Sequence, residues 1–246
     1  DTLGLLCRSI GPKGELMLTK IGGPLMPTLD GEYCKIYTRN GRVYTGTILS
    51  LSPASHVFDD AATRPRDEGN MYVRLDELVK TADDVRALGI EVGDYICFDP
   101  KTTVTESGFL KSRFIDDKGS AACLLTLLKL MADAGVRPRY DAEIHLTVYE
   151  EVGHGGATIP WDLSELLAVD MGDMVSRLVA LAKEGGVDYA VDVYPHYSSD
   201  VSVAWKAGSD AKAALIGPGV QASHGMERTH FHGMRETIRL IALYLE

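Results

Sequence analysis

Short runs in which apolar and polar side chains alternate fill the first part of the chain, at residues 15–19, 33–37, 42–49 and 72–75, and turn residues separate them. A period of two predicts β-strands with one buried face. One helical stretch interrupts them at 81–88, where Thr81 stands as a cap before Asp83 and Asp84. Residues 10–100 therefore read as a small β domain.

After about residue 101 the period changes. Residues 121–130 are almost wholly apolar and predict a buried helix, and residues 142–149 alternate like a strand and run into a glycine-punctuated turn. A short apolar strand follows at 166–169, a helix-like stretch at 173–183 and an amphipathic helix at 234–245. Strands alternating with helices predict an α/β domain formed by residues 1–9 and 101–246, with helices on both faces of a mixed sheet.

Acidic side chains lie where this pattern leaves apolar elements. Asp116 and Asp117 precede the apolar helix, Glu150 and Glu151 end the 142–149 strand, and Asp170 ends the 166–169 strand. Carboxyl ends of strands are where open α/β sheets bind ligands. Taken singly, each has a plainer reading, as a helix cap for Asp116 and Asp117 and as a solvated turn for the glutamates. Taken together beside apolar segments, unpaired charges would be costly, and the set calls for a cation. His224, His230 and His232 crowd a late glycine- and proline-rich stretch, and imidazole joins carboxylates on zinc-like metals. Spacing alone does not choose among the three.

The motifs Asp116-Asp117-Lys118-Gly119, Glu150-Glu151-Val152-Gly153, Ala168-Val169-Asp170 and Ser223-His224-Gly225-Met226-Glu227 resemble the successive metal-site motifs of metallopeptidase family forty-two. That family holds the tetrahedral, glutamyl and deblocking aminopeptidases and proteins called endoglucanase M. The likeness extends through Gly22-Gly23, residues 41–50, Leu88-Gly89-Ile90-Glu91-Val92-Gly93-Asp94 and Glu106-Ser107-Gly108, so it covers essentially the whole chain. The resemblance implies a zinc-peptidase-like catalytic domain with a small inserted β-barrel, PDZ-like, that serves oligomer contacts.

It also implies roles. Asp116 would bridge two divalent ions, zinc or cobalt, through a cis peptide to Asp117, which would orient ligands. Glu151 and His224 would complete one site and Asp170 would belong to the other. Glu150 would be the general base acting on a metal-bridged water. Lys118 stands where many relatives have arginine, which keeps the charge and loses the planar fork. Family members carry a His-x-Asp motif of which Asp1-Thr2-Leu3-Gly4 resembles only the part from the third residue onward. Asp1 is then expected to orient a histidine lying upstream of residue 1. The family also has a longer connection where Asp170-Met171-Gly172-Asp173 runs straight toward a helix.

The implied activity is removal of N-terminal residues from short peptides, by a cytoplasmic enzyme assembled as a homo-oligomer, the family's assembly being a dodecamer. A related amidase or deacylase of small N-acyl compounds is the alternative, since the same two-metal site serves both. A catalytically silent binding fold is a third reading, and Glu150 speaks against it because holding metal needs no base. Glycosidic chemistry lacks a defensible carboxylate pair.

Composition narrows the partners. With 25 basic against 35 acidic residues the net charge is −10, so a basic face for nucleic acid is excluded as the main function. No apolar run approaches a membrane span and no secretory signal is visible. Cys7, Cys34, Cys97 and Cys123 lie far apart without C-x-x-C spacing and predict buried free thiols in a reducing compartment. His145 is expected to be a packed or hydrogen-bonded core histidine, and His56 to sit in a surface loop. The 194–200 segment, with His196 and Asp200, resembles a family stretch that contacts substrate or a neighbouring subunit, and Glu227 is expected to support the metal ligands from behind.

Overall fold

A computed structural model describes residues 2–160, 162–170, 176–192, 194 and 196–246. The chain divides into two compact units, residues 3–100 and residues 101–246, the latter joined by Thr2.

The first unit is a closed six-stranded barrel of β1 (Gly4–Ile10), β2 (Leu16–Ile21), β3 (Tyr33–Tyr37), β4 (Val43–Ser50), β5 (Met71–Leu75) and, after helix α1 (Ala82–Ala87), β6 (Tyr95–Phe98), in the order β1-β2-β5-β4-β3-β6. Closure leaves no free edge. Alternation turns Leu5, Leu16, Leu18, Ile36, Ile48, Val73 and Ile96 into its interior, where all are fully buried. Each such side chain contributes roughly 1.5–3 kcal/mol relative to exposure. At the β4–β5 pairing the residue has to be glycine, because a Cβ on Gly46 would lie 2.7 Å from the Arg74 carbonyl oxygen. Thr81 caps α1 as expected, accepting from the Asp84 N–H at 3.2 Å while Asp84 accepts from the Thr81 N–H at 2.9 Å. The boundary expected at residue 10 moves, since β1 pairs with β2 and β6 and residues 4–10 are barrel.

The second unit contains β7 (Thr103–Val104), β8 (Phe109–Ser112), α2 (Ile115–Ala134), β9 (Glu165–Val169), α3 (Ser176–Glu184), α4 (Asp200–Lys206), β10 (Lys212–Ile216), β11 (Glu227–His230) and α5 (Phe231–Leu245). Residue 173, where the third helix was expected to begin, lies outside the described residues. Its core joins Leu127 of α2, Leu178 and Ala182 of α3, Val187, Ile216 of β10, and Leu240 and Ile241 of α5. Instead of one mixed sheet, the described residues form an antiparallel sheet β11-β8-β7 and a parallel pair β10-β9.

Four further expectations are corrected. Residues 142–149 join no strand, because alternation defines a face but a strand also needs a neighbour for its N–H and C=O groups, and among the described residues none pairs with them as a strand. His145 in that segment is accordingly exposed and bonds Glu143 at 3.0 Å instead of packing in a core. The apolar stretch in α2 is buried along one stripe, at Cys123 and Leu127, whereas Leu125, Leu128 and Leu130 are exposed. Cys7, Cys34 and Cys123 are buried free thiols, while Cys97 points outward from the barrel and is exposed.

Candidate metal centre

Local backbone geometry sets the first acids. Phe114 precedes α2 in the left-handed region at φ 65°, the Asp116–Asp117 peptide is cis, and both aspartates have non-helical dihedrals, so neither is an ordinary N-cap. The late loop is equally irregular, with Ala222 at φ 59° and His224 at φ 64°. Non-glycine residues held there cost energy and persist where the surroundings over-determine them.

One buried side chain ties these two segments together. The Glu227 carboxylate, 1% exposed, accepts from the Asp116 N–H with Oε2 at 2.9 Å and from the His224 N–H with Oε1 at 3.0 Å. The Ser223 hydroxyl adds a bond to Asp116 Oδ2 at 2.9 Å. Asp170 is held from β10: its N–H donates to the Ile216 carbonyl at 2.8 Å, and a Cβ on Gly217 would fall 1.4 Å from its carbonyl oxygen. Glu150 and Glu151 open a single 3₁₀ turn that Gly153 ends at φ 71°. Asp200 holds the chain on either side of that turn, packed on Gly155 and Gly156 beyond it while Oδ2 accepts from the hydroxyl of Thr147 before it at 2.6 Å.

The result is two donor sets. Asp116, Glu151 and His224 offer ligand atoms all within 4.8 Å of one another, and so do Asp116, Asp117 and Asp170. Asp116 belongs to both. His224 Nε2 lies 3.5 Å from Asp116 Oδ2 and 3.8 Å from Glu151 Oε2. His230 and His232 join neither set; His230 caps α5 and His232 pairs with Asp188 at 2.9 Å. Asp117, expected only to orient ligands, is within ligand reach of the second set. Asp1 lies outside the described residues.

Electrostatics ask for positive charge. Burial, then the charges of Asp170 and Asp116, push the Asp117 carboxyl up to about 9. Burial, then Asp170, Glu151, Asp200 and Asp116, push Glu150 up to about 8. Burial, then Asp116 and Asp170, push Glu151 up to about 7. Asp117 Oδ1 is buried with no hydrogen-bond partner among the described residues. Carboxylates gathered this tightly are stable as anions only with a cation among them, so the residues present fit divalent metal. Oxygen and imidazole donors of this kind suit zinc, cobalt and manganese.

Beside the acids opens a cavity of about 1570 Å³, with Asp117, Glu150, Glu151 and Asp170 at one part of its wall and Leu124, Leu128, Ile144, Leu146 and Leu166 along another. Tyr197 was not singled out by sequence reasoning. Burial, then the neighbouring Asp170 carboxylate as charge and hydrogen-bond partner, raises its phenol well above the usual range. A lone tyrosine before a short helix carries no sequence signal of that contact.

The family model for M42 glutamyl aminopeptidases matches residues 1–177 and 172–240. The chain belongs to that family of metallopeptidases and is a hydrolase of the aminopeptidase class. YhfE of Bacillus subtilis strain 168, named as a candidate aminopeptidase, is 40% identical over 273 aligned positions covering all of this chain and 79% of that protein. Among solved structures, the TET aminopeptidase of a marine sediment archaeon of the Thaumarchaeota superposes with a TM-score of 0.87 at 17% identity, covering 100% of this chain and 78% of that one. The TET1 peptidase of Pyrococcus horikoshii, described as able to assemble into a tetrahedron or a large octahedral shell, gives 0.79 at 18% identity over 100% and 81%. These two likenesses concern the fold.

Proposed function

We propose that the protein is a dinuclear-metal aminopeptidase that removes N-terminal residues from short peptides. Asp116, Glu151 and His224 would hold one ion and Asp116 and Asp170 the other, zinc or cobalt, with Asp117 beside them. The observation that carries this reading is the pair of three-donor sets sharing Asp116, with Glu150 outside both sets and next to both.

Divalent metal held by these residues would supply an acidified water and a polarised substrate carbonyl. The residues of the chain do the rest. Glu150, a carboxylate not needed for either donor set, takes the proton of the attacking water and delivers it to the departing amine as the C–N bond breaks. Burial raises its basicity toward neutral pH, where a general base is most effective. Asp200, packed on Gly155 and Gly156 and bonded to the Thr147 hydroxyl, holds the chain on either side of the Glu150-Glu151 turn. The apolar wall of the cavity suits the body of a peptide side chain.

Assembly and location belong to the same proposal. Tyr33, Tyr37 and Tyr95 stand exposed on the neighbouring strands β3 and β6 of the barrel, an apolar outer face suited to contacts with further copies of the chain. Free buried thiols favour the cytoplasm. Among the described residues no helix is long and apolar enough to cross a membrane.

The test loads the purified protein with zinc or cobalt and offers one short peptide in free-amine and N-acetylated forms. Release of the first residue from the free form alone is the expected result. Cleavage of the acetylated form as well would shift the assignment to a deacylase, and no cleavage of either with metal bound would overturn it.

A further inference from the structure

Arg113 directly follows β8 and is only 3% exposed. A buried guanidinium needs acceptors, since its charge and its five N–H groups have left water. One acceptor comes from far along the chain: Nη1 donates to the Gly225 carbonyl at 3.3 Å, across 112 residues of sequence.

Strand pairing makes that bond possible. Ser112 of β8 lies opposite Glu227 of β11, so residue 113 comes level with the loop that runs into β11. The loop holds His224 at φ 64°, and the buried Gly225 closes a turn by donating its N–H to the Ala222 carbonyl at 3.0 Å. That turn bond is internal to the loop and would move with it. Side chains outside the turn hold the two ends of the His224-Gly225 segment: the His224 N–H donates to Glu227 Oε1 at 3.0 Å, and the Gly225 carbonyl accepts from Arg113.

The two supports carry opposite charge and suit opposite ends of the segment. A carboxylate takes the N–H and a guanidinium takes the C=O, and hydrogen bonds with one ionised partner are about twice as strong as neutral ones. Fixing the main chain of residues 224 and 225 fixes the direction of the His224 Cα–Cβ bond, and with it the reach of the imidazole. Its Nε2 lies 3.5 Å from Asp116 Oδ2 and 3.8 Å from Glu151 Oε2.

We infer that Arg113 is a positioning residue of the metal centre, whose guanidinium, acting with the Glu227 carboxylate from opposite ends of the His224-Gly225 segment, keeps the His224 imidazole turned toward Asp116 and Glu151. The inference rests on the reading of the donor sets as metal sites. It concerns one ion and not the other, because His224 belongs to the set with Asp116 and Glu151 and not to the set with Asp117 and Asp170. Groups that orient metal ligands in this way change metal affinity by about 10–100-fold when removed.

The experiment titrates metal-free wild-type protein, Arg113→Met, Arg113→Lys and Thr237→Val with cobalt by calorimetry, and records the melting temperature of each without metal. Lysine keeps the charge and loses the planar fork, so it tests the same point where the methionine variant does not fold. Thr237→Val removes a hydroxyl bond of a buried side chain within α5, 2.9 Å to the Gly233 carbonyl. Wild type and Thr237→Val are expected to bind two ions alike. Arg113→Met should bind one ion as wild type does and the other about 10–100-fold more weakly, with Arg113→Lys in between. Wild type binding no ion would overturn the two-site reading, and this inference with it. Two ions bound as tightly by the folded Arg113 variants as by wild type would overturn this inference alone, and a lowered metal-free melting temperature beside that result would assign the guanidinium to packing. Weakening of both ions to the same extent would overturn it too.

Discussion

The backbone N–H of Asp116 donates to a carboxylate oxygen of Glu227 at 2.9 Å, across 111 residues of sequence. The second oxygen of the same carboxylate receives the His224 N–H at 3.0 Å, so one buried acid sets the distance between two groups common to a donor set.

Replacing Glu227 by Gln keeps its size but turns one acceptor into an N–H₂ facing a backbone N–H. A buried donor left unsatisfied costs about 1–3 kcal/mol. Denaturant unfolding should record that loss, and the affinity for the ion at Asp116, Glu151 and His224 should fall by about tenfold or more. An unchanged unfolding midpoint would mean that Glu227 does not hold the two segments.

Glu150 is the proton carrier in the proposed reaction and lies outside both donor sets. Glu150→Gln should lower kcat by about 10²–10⁴-fold and leave the content of bound metal at the wild-type level. Loss of metal in step with activity would make Glu150 a ligand instead of a base.

Metal-free protein should lose stability as pH rises. Burial and neighbouring charges raise Asp117 to about 9, Glu150 to about 8 and Glu151 to about 7 in the fold, whereas unfolded carboxyls titrate at roughly 4. Folded carboxyls with raised pKa retain protons that the unfolded chain has released. Their contribution is therefore complete below pH ~4 and is lost as pH rises through about 7 to 9. Thermal melts in chelator from about pH 5 to 9 should fall steadily, and zinc or cobalt should reverse the trend because metal binding favours the deprotonated carboxylates. Flat melts in chelator would count against a buried acid cluster.

Gly217 sits where a Cβ would meet the Asp170 carbonyl oxygen at 1.4 Å. Gly217→Ala must push β10 away from the end of β9, at a cost of about 1–3 kcal/mol or more. Reduced stability with weakened binding of the second ion is the expected outcome, checked by melting temperature and calorimetry. Wild-type behaviour in both would show that the two strand ends are not tightly coupled.

Local pattern determined a good deal about this protein. Alternation at 33–37, 42–49 and 72–75 specified barrel strands because a period of two commits a strand to one buried face, and Thr81 with Asp84 marked a helix start because both groups act within one turn. The acids at element ends were legible as candidates because charge beside apolar sequence needs a partner, whereas His224 was singled out from its neighbours His230 and His232 only by its resemblance to a family motif. What depended on distant partners was not legible. Residues 142–149 have a strand's alternation but find no pairing strand among the described residues, and the leucines of α2 look uniformly apolar although only one stripe is covered. Likewise, only the tertiary structure decided that Asp116 is shared by two donor sets, that one carboxylate of Glu227 spans Asp116 and His224, and that Tyr197 neighbours Asp170. Those contacts join residues far apart in the chain, and the direction of a side chain across such a distance is set by packing and not by the residues next to it.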